Sequence, residues 1–230
     1  MKNTKTGVKP LFPESQSLVD RATHAVRTAI LEGRLRPSET ISISDLAADL
    51  GVSHSPVREA LQRLSGQGLV VLRQARTAIV APLDLVDLNE IYQMRELLEV
   101  DTAARAAPML TDEDLATMTR ELQSLSAAVI DSEAFWHHHN AFHGAILAPV
   151  MTPRLDRMIV ELAHAAERYV RVVYGETDVL FTHNVADRHQ PLIEAAQTRK
   201  ATVMRKALTE HLRSNHREIA SSLRAIMSAA

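Results

Sequence analysis

Histidines at helical spacing are the residues of this sequence best suited to chemistry. His139 and His143 are four residues apart in a segment that we predict to be helical, so both imidazoles project from one face, one turn apart. Such a pair is a natural half of a metal site, and His189 and His211 lie on two later predicted helices. Four neutral imidazoles suit zinc, nickel or another first-row ion better than magnesium or calcium. The alternative is that His137–His139 is only a polar helix face, since the chain has 11 histidines.

A metal site does not by itself make an enzyme. A hydrolytic site needs an open coordination position and a nearby general base, and the zincin pattern places Glu directly after its first histidine. Here Asn140 follows His139, and the sequence contains no G-x-S-x-G, P-loop or G-x-G-x-x-G motif. We therefore predict a non-enzymatic ion that anchors a carboxylate ligand or clamps the fold, with a metal-dependent hydrolase as a weaker alternative.

Helices must position these histidines, because helical periodicity replaces every strand signal from Asp84 onward. Prolines, Gly175 and short polar junctions divide the pattern. The sequence predicts an all-α bundle over residues 82–230. Its six predicted helices are Asp84–Ala107, Asp112–Val129, Ser132–Pro149, Arg154–Tyr174, Val179–Thr198 and Ala201–Met227.

The first part of the chain has a different pattern. An amphipathic helix is predicted over Ser17–Gly33, and a shorter one, SISDLAADL, is followed by the turn Gly51-Val52 and a helix that starts at Ser53. Two short helices joined by a glycine turn are typical of the helix-turn-helix, whose second helix enters the DNA major groove. The runs LVVL and TAIVA then predict a β-hairpin, or wing. Residues 17–81 are thus predicted to form a winged helix-turn-helix domain of three helices and a hairpin.

The charge of the chain is unevenly distributed. The net charge is −2, but residues 1–81 hold 11 basic and 7 acidic residues, whereas residues 82–230 hold 15 and 21. A basic N-terminal domain favours contact with phosphates, and the acidic remainder should keep away from DNA.

Side chains that can donate hydrogen bonds cover the predicted DNA-facing surface. Arginines can reach phosphates or guanine edges, serines can donate to phosphates, and His54 is a shorter and weaker donor. Arg63 has an equally good alternative as a helix-surface charge. The predicted DNA-contacting residues are Ser44, Ser53, His54, Ser55, Arg58, Arg63, Arg73 and Arg76.

Composition bounds the setting of the protein. The chain has no cysteine, which excludes disulfides and thiolate metal sites and fits a cytoplasmic location. No apolar run is long enough to cross a bilayer, and residues 1–16 lack the apolar core of a secretory signal. We predict a protein with no membrane partner and a mobile tail over residues 1–16.

The first eighty residues resemble a known family. LEGRLRPSETISISDLAADLGVSHSPVREALQRLSGQGLVV is similar to the winged-helix domain of the GntR family of regulators, although Ser38 stands where that family usually has glycine and His54 where it usually has arginine. The resemblance implies that Arg58 corresponds to an arginine that reads DNA in the family. The departure at His54 implies a different operator preference.

The helical part resembles the FCD ligand-binding domain of the FadR-like branch of that family. The matching pieces are Arg95-Glu96-Leu97-Leu98-Glu99, Phe142-His143, His189 with Leu192-Ile193, and His211-Leu212, and six helices rather than seven suggest the VanR-like subgroup. The resemblance implies a metal held by His143, His189 and His211. Relatives usually have Asp at position 139, so either His139 or Asn140 replaces that ligand or the ion keeps three.

The same resemblance implies an effector site beside the metal. The family arginine at position 95 holds the effector carboxylate, while Glu99, one turn away, is the alternative internal partner. Thr152, where relatives often have Asn, is a further candidate for effector binding. The implied protein is a homodimeric regulator, expected to be a repressor, that binds double-stranded DNA at a pseudo-palindromic operator and responds to a small organic acid. The alternative is a metal-responsive regulator in which the ion itself is the signal.

Overall fold

The chain divides into two compact units, Met1–Ala81 and Pro82–Ala230. A computed structural model describes residues 17–73, 77–129, 132–176 and 185–229. The predicted tail over residues 1–16 and the predicted DNA contact Arg76 lie outside the described residues. Among those described, no helix is both long and apolar enough to cross a membrane.

The first unit is a winged helix-turn-helix. Its helices are α1 (Leu18–Leu31), α2 (Ile43–Leu50) and α3 (His54–Gly66), and its strands are β1 (Thr40–Ser42), β2 (Val70–Leu72) and β3 (Thr77–Val80). The strands form an antiparallel sheet in the order β1-β3-β2. The three helices and the hairpin confirm the prediction. Strand β1 was not predicted, because three residues are too few to show an alternating pattern.

Local sequence signals set the ends of these helices. Ser17 and Asp20 form a reciprocal capping box at the start of α1, with the Asp20 amide donating to Ser17 Oγ at 3.1 Å. Gly51 ends α2 at φ 63°, a left-handed conformation that glycine adopts without steric cost. The apolar face of α3 is then fully buried at Val57, Leu61 and Leu64, which directs the opposite face outward.

The second unit consists of helices in its described parts. They are α4 (Leu85–Arg95), α5 (Asp101–Ala106), α6 (Asp112–Ala127), α7 (Glu133–Leu147), α8 (Pro153–Glu176), α9 (Val185–Gln197) and α10 (Ala201–Ala229). Each of the six predicted helices has a counterpart here, and α4 and α5 together form the first. Buried side chains such as Phe142, Leu192 and Leu208 form a core among α7, α9 and α10, which brings the histidine-bearing helices together.

A π-helical segment, Glu96–Val100, connects α4 to α5 without a break. Single π-helical turns inside α-helices are rare and are frequent at functional sites. This one begins directly after Arg95, the predicted effector-binding residue. It contains Glu99, which is the alternative, internal partner of Arg95. Sequence periodicity did not reveal it, since a segment of five residues is too short to show a period different from that of the α-helix.

Candidate metal centre and nucleic-acid interface

Three histidines from two helices meet inside the second unit. His139 and His143 lie one turn apart on α7, and His189 lies on α9. One ligand atom from each can be chosen so that all three atoms lie within 4.8 Å of one another. The structure therefore brings together three of the four histidines predicted as metal ligands.

The separation of two imidazole nitrogens fits a bound metal. His143 Nε2 and His189 Nε2 are 3.3 Å apart. Two ligands of a tetrahedral zinc ion, each at about 2.0–2.1 Å, are separated by about 3.3–3.4 Å. The buried Nδ1 atom of His139 has no hydrogen-bond partner among the described residues, so it too is available to an ion. The donor set and its spacing fit a first-row metal.

The backbone fixes how His189 presents its lone pair. Its Nδ1 atom lies 2.8 Å from the Val185 carbonyl oxygen, which can only accept, so Nδ1 donates and the neutral ring keeps its Nε2 lone pair toward His143. Metal-binding histidines commonly donate their second ring N–H to a carbonyl in this way.

Burial keeps the cluster uncharged. It lowers the pKa of His139 to about 3, with His189 and Arg95 acting in the same direction. Burial also lowers the pKa of His189 to about 4 and holds those of His143 and His211 well below the usual value. Neutral imidazoles are the form that coordinates metals, so no proton needs to leave before an ion enters at neutral pH.

His211 lies beside the three clustered histidines but has other partners. Its ring centroid is 4.8 Å from that of His189 and 5.1 Å from that of His143. Its Nδ1 meets the Arg188 carbonyl oxygen at 3.2 Å, and its Nε2 meets the Asn215 side-chain amide at 3.3 Å. For His211 to act as a fourth ligand through Nε2, Asn215 must release that atom.

Arg95 is buried and already paired. Its Nε donates to Glu99 Oε1 at 2.6 Å, and both side chains are almost completely buried. Burial opposes the charged guanidinium, but the Glu99 carboxylate outweighs it, so the pKa of Arg95 is raised above its ordinary value. The internal partner considered from the sequence is therefore present, and an effector carboxylate would have to compete with Glu99.

A cavity of about 170 Å³ extends from the three histidines, and Arg95 and Glu99 also line it. Thr152 is exposed and is not among the described residues that line this cavity. The expectation that Thr152 contacts an effector there is not met, because its side chain stands on the surface just before α8 while its neighbour Met151 lines the wall.

The outer face of α3 presents polar side chains at its N-terminal end. His54, Ser55 and Arg58 are exposed, and Ser53 precedes them as an exposed N-cap whose side chain makes no capping hydrogen bond. Ser44 is exposed on α2, and Arg73 is exposed directly after β2. Their exposure leaves them accessible to a ligand, and the N-terminal residues of a recognition helix are those that face base edges and phosphates.

Arg63 differs from the other predicted DNA contacts. Its Nη1 donates to Asp20 Oδ1 at 2.6 Å, and each side chain is about half exposed. This pair joins α3 to α1, which favours the alternative interpretation of Arg63 as a helix-surface charge.

Comparison with protein families follows the two units. Residues 18–80 match the model for bacterial regulatory proteins of the gntR family, and residues 90–214, more than half of the chain, match the FCD domain. The chain belongs to the GntR family and carries an FCD domain. Both parts of the resemblance found in the sequence are thus confirmed, and the FadR-like branch fits.

Similar full-length proteins support this assignment. The chain is 24% identical over 224 residues to the HTH-type transcriptional repressor RspR of Escherichia coli, covering 96% of this chain and 94% of RspR. It is 26% identical to the gluconate operon transcriptional repressor of Bacillus licheniformis, covering 87% and 86%. The solved structure of Escherichia coli McbR/YncC, 24% identical, has the same fold with a TM-score of 0.77 over 91% of this chain and all of that one.

These matches are to transcription regulators, so this GntR-family chain is a regulator and not an enzyme.

Its FCD cavity contains residues that sequence reasoning missed. Trp136 and Asp156 line it, and Asn215 binds His211. Asn215 could have been found, because it stands four residues after His211 on the same helix face. Trp136 gave no signal beyond that of a core aromatic.

Proposed function

We propose that this GntR-family protein is a repressor that binds a pseudo-palindromic operator as a homodimer and is controlled by a small carboxylate bound beside a metal ion. The observation that carries the proposal is the convergence of His139, His143 and His189 on one cavity that Arg95 also lines. The names of RspR and the gluconate operon repressor support repression. The winged-helix unit acts on cytoplasmic DNA.

In the proposed complex, the exposed end of α3 reads the operator. Arg58 contacts a guanine edge or a phosphate, and Ser53, Ser55 and Ser44 donate to phosphates, together with His54 and Arg73. Two-fold symmetry of the dimer matches the two half-sites of the operator, which lie about one helical turn apart. An effector weakens repression if it binds more tightly to a dimer whose recognition helices no longer fit that spacing.

In the second unit, His139, His143 and His189 would hold the ion, and His211 would be a fourth ligand only without its contact to Asn215. Zinc or nickel suits this set of neutral imidazoles. The bound ion supplies a Lewis acid that attracts a carboxylate. Arg95 would orient the effector carboxylate after exchanging Glu99 for it. This exchange is possible because both carboxylates pair with a guanidinium in a similar geometry.

The test is a binding titration. Fluorescence anisotropy would measure the affinity of the purified protein for duplexes from the DNA upstream of its own gene, at fixed low salt. Zinc or nickel and a panel of organic acids would be added separately and together. Release of DNA only when both are present supports the proposal.

Two other outcomes contradict it. Release by metal alone, with every acid silent, would establish the metal-responsive alternative. Absence of binding to any of these duplexes would overturn the assignment of this surface to the operator. His143→Ala is the matched variant, because it should abolish the response to metal and acid while leaving operator affinity unchanged.

A further inference from the structure

The lining of the FCD cavity combines polar and apolar side chains. Its polar part includes His139, His143 and His189. The apolar part of the wall begins beside the histidines, where the ring centroid of Trp136 is 5.5 Å from that of His139, and includes Phe135, Trp136, Leu147, Met151, Ile159 and Tyr174. A ligand that fills the cavity must therefore combine a polar head with an apolar body.

The size of the cavity suits one ring. Its volume is about 170 Å³, and a cavity of about 150 Å³ lined by apolar side chains holds one benzene molecule. Phe135 and Trp136 meet edge to face with ring centroids 5.3 Å apart, and Tyr174 lies 6.3 Å from Trp136. A flat ring between such side chains gains offset or edge-to-face contacts. A polyhydroxylated chain would instead lose hydrogen bonds to water against this wall.

The charges around the cavity favour a single carboxylate. Among the described residues, the arginines that line it are Arg95, paired with Glu99, and Arg188, paired with Glu218. Glu167, buried on the wall, is paired with Arg171, and Asp156 adds another acid. Arg95 can exchange Glu99 for one ligand carboxylate, so a second carboxylate would approach these acids without a further arginine to offset the repulsion.

We propose that the effector is a monocarboxylate with one aromatic ring, whose carboxylate faces the histidine cluster and whose ring packs against Trp136 and Tyr174. This inference rests on the proposed function, because it specifies the ligand of the same site.

Isothermal titration of the zinc-loaded, full-length protein tests the ligand class. The probes are benzoate, gluconate, phthalate and benzyl alcohol, which vary the ring, the hydroxyl groups, the number of carboxylates and the presence of any carboxylate. Benzoate should bind at least ten-fold more tightly than each of the other three. Equal or tighter binding of gluconate or phthalate would overturn the proposal.

A cavity-filling variant tests the location of the ring. Gly144 lines the cavity from α7, and a Cβ built there meets no atom within 4 Å, so a larger side chain fits without a clash at its base. Gly144→Leu should weaken benzoate binding at least ten-fold while zinc affinity stays at the wild-type value. The control His137→Leu adds the same side chain at an exposed position of the same helix and should change neither affinity. Unchanged benzoate binding in Gly144→Leu would place the ring elsewhere.

The outcomes separate this inference from the proposed function. If a different class of acid binds and releases DNA while benzoate does not, the ligand class is wrong and the repressor proposal stands. If no acid binds the zinc-loaded protein or releases DNA, both fail.

Discussion

His143 Nε2 and His189 Nε2 lie 3.3 Å apart although 46 residues separate them in the chain. Packing fixes this approach, because the ring of Phe142 is fully buried and meets the ring of His189 edge-on, with centroids 5.1 Å apart. The distance is long for a nitrogen–nitrogen hydrogen bond and fits two ligands of one tetrahedral ion. The two nitrogens are thus placed as two ligands of one ion would be.

Removal of the imidazole of either His143 or His189 should therefore abolish tight metal binding. His143→Ala and His189→Ala are each expected to weaken zinc binding by more than about 100-fold, because second-shell changes alone cost about 10–100-fold. Competition with a chromogenic chelator measures the affinity. Wild-type affinity in either variant would show that these nitrogens do not coordinate the ion.

His211→Ala should have a smaller effect, about ten-fold, since binding through His211 requires the loss of its contact with Asn215. The variant Asn215→Ala frees the same atom and is expected to tighten zinc binding or leave it unchanged. A loss on His211→Ala as large as that on His143→Ala would make His211 a full ligand.

Sequence alone predicted the winged helix and the helical bundle because both depend on local periodicity and capping. The pairing of His139 with His143 followed from their spacing on one helix. The convergence with His189 came from a family pattern, since nothing local determines how α7 packs on α9. The π-helical segment, the pairing of Arg95 with Glu99 and the surface position of Thr152 depend on tertiary packing, which explains why they were missed or left open.

The metal-free protein should lose stability as pH falls from about 6.5 toward 4. The folded-state pKa of His189 is about 4 because the side chain is buried, whereas an unfolded histidine titrates near 6.5. In that window the unfolded state binds more protons, so acid favours unfolding, by about 1.4 kcal/mol per pH unit for each histidine. Thermal melts in chelator at pH 7, 6 and 5 measure the loss. His189→Asn should reduce the slope; an equal slope would assign the effect to other groups.

Two arginines on α3 should differ in their effect on operator affinity. Arg58→Ala is expected to weaken specific binding by about 1–3 kcal/mol, roughly 5- to 150-fold, as for an arginine that contacts a base. Arg63→Ala, on the same helix but paired with Asp20, should cost less than about three-fold. Anisotropy at one salt concentration compares them. Equal losses would place Arg63 in the interface.

Ser38 should gain stability when replaced by glycine. Its φ of 67° is left-handed, and its amide donates to the Val80 carbonyl at 3.0 Å, so the turn cannot relax without losing that bond. Left-handed backbone costs a non-glycine residue about 1–2 kcal/mol, while glycine adds about 0.5–1 kcal/mol of entropy cost, so Ser38→Gly should gain up to about 1.5 kcal/mol. Chemical denaturation measures this.

Arg199 provides the contrast for Ser38. It also has a positive φ, 52°, but its guanidinium donates to the Leu110 carbonyl oxygen at 2.8 Å and pairs with Asp112. Arg199→Gly should therefore destabilise the protein even though it relieves the same backbone strain. A destabilised Ser38→Gly variant would show that the serine side chain makes a compensating contact.

Tyr169 should couple the cavity to the start of the second unit. Its helix, α8, contributes Ile159 and Glu167 to the cavity wall. Its hydroxyl donates to Asp87 at 2.5 Å and accepts from the Asp84 amide at 3.4 Å, just after the boundary between the two units. We expect any shift of α8 on ligand binding to reach Asp84 and Asp87 through these two contacts. Tyr169→Phe removes the hydroxyl contacts and keeps the ring. The ratio of operator affinity without effector to operator affinity with effector should therefore be at least three-fold smaller in this variant than in the wild type.

The same variant should keep its zinc affinity, because Tyr169 makes none of the contacts of the histidine cluster described above. It should lose about 1–2 kcal/mol of stability, since Asp87 and the Asp84 amide lose a partner in a partly buried site. Anisotropy with and without effector, paired with zinc competition, separates the two effects. A variant that is less stable but has an unchanged ratio of operator affinities would make Tyr169 a structural residue and place the coupling on another helix.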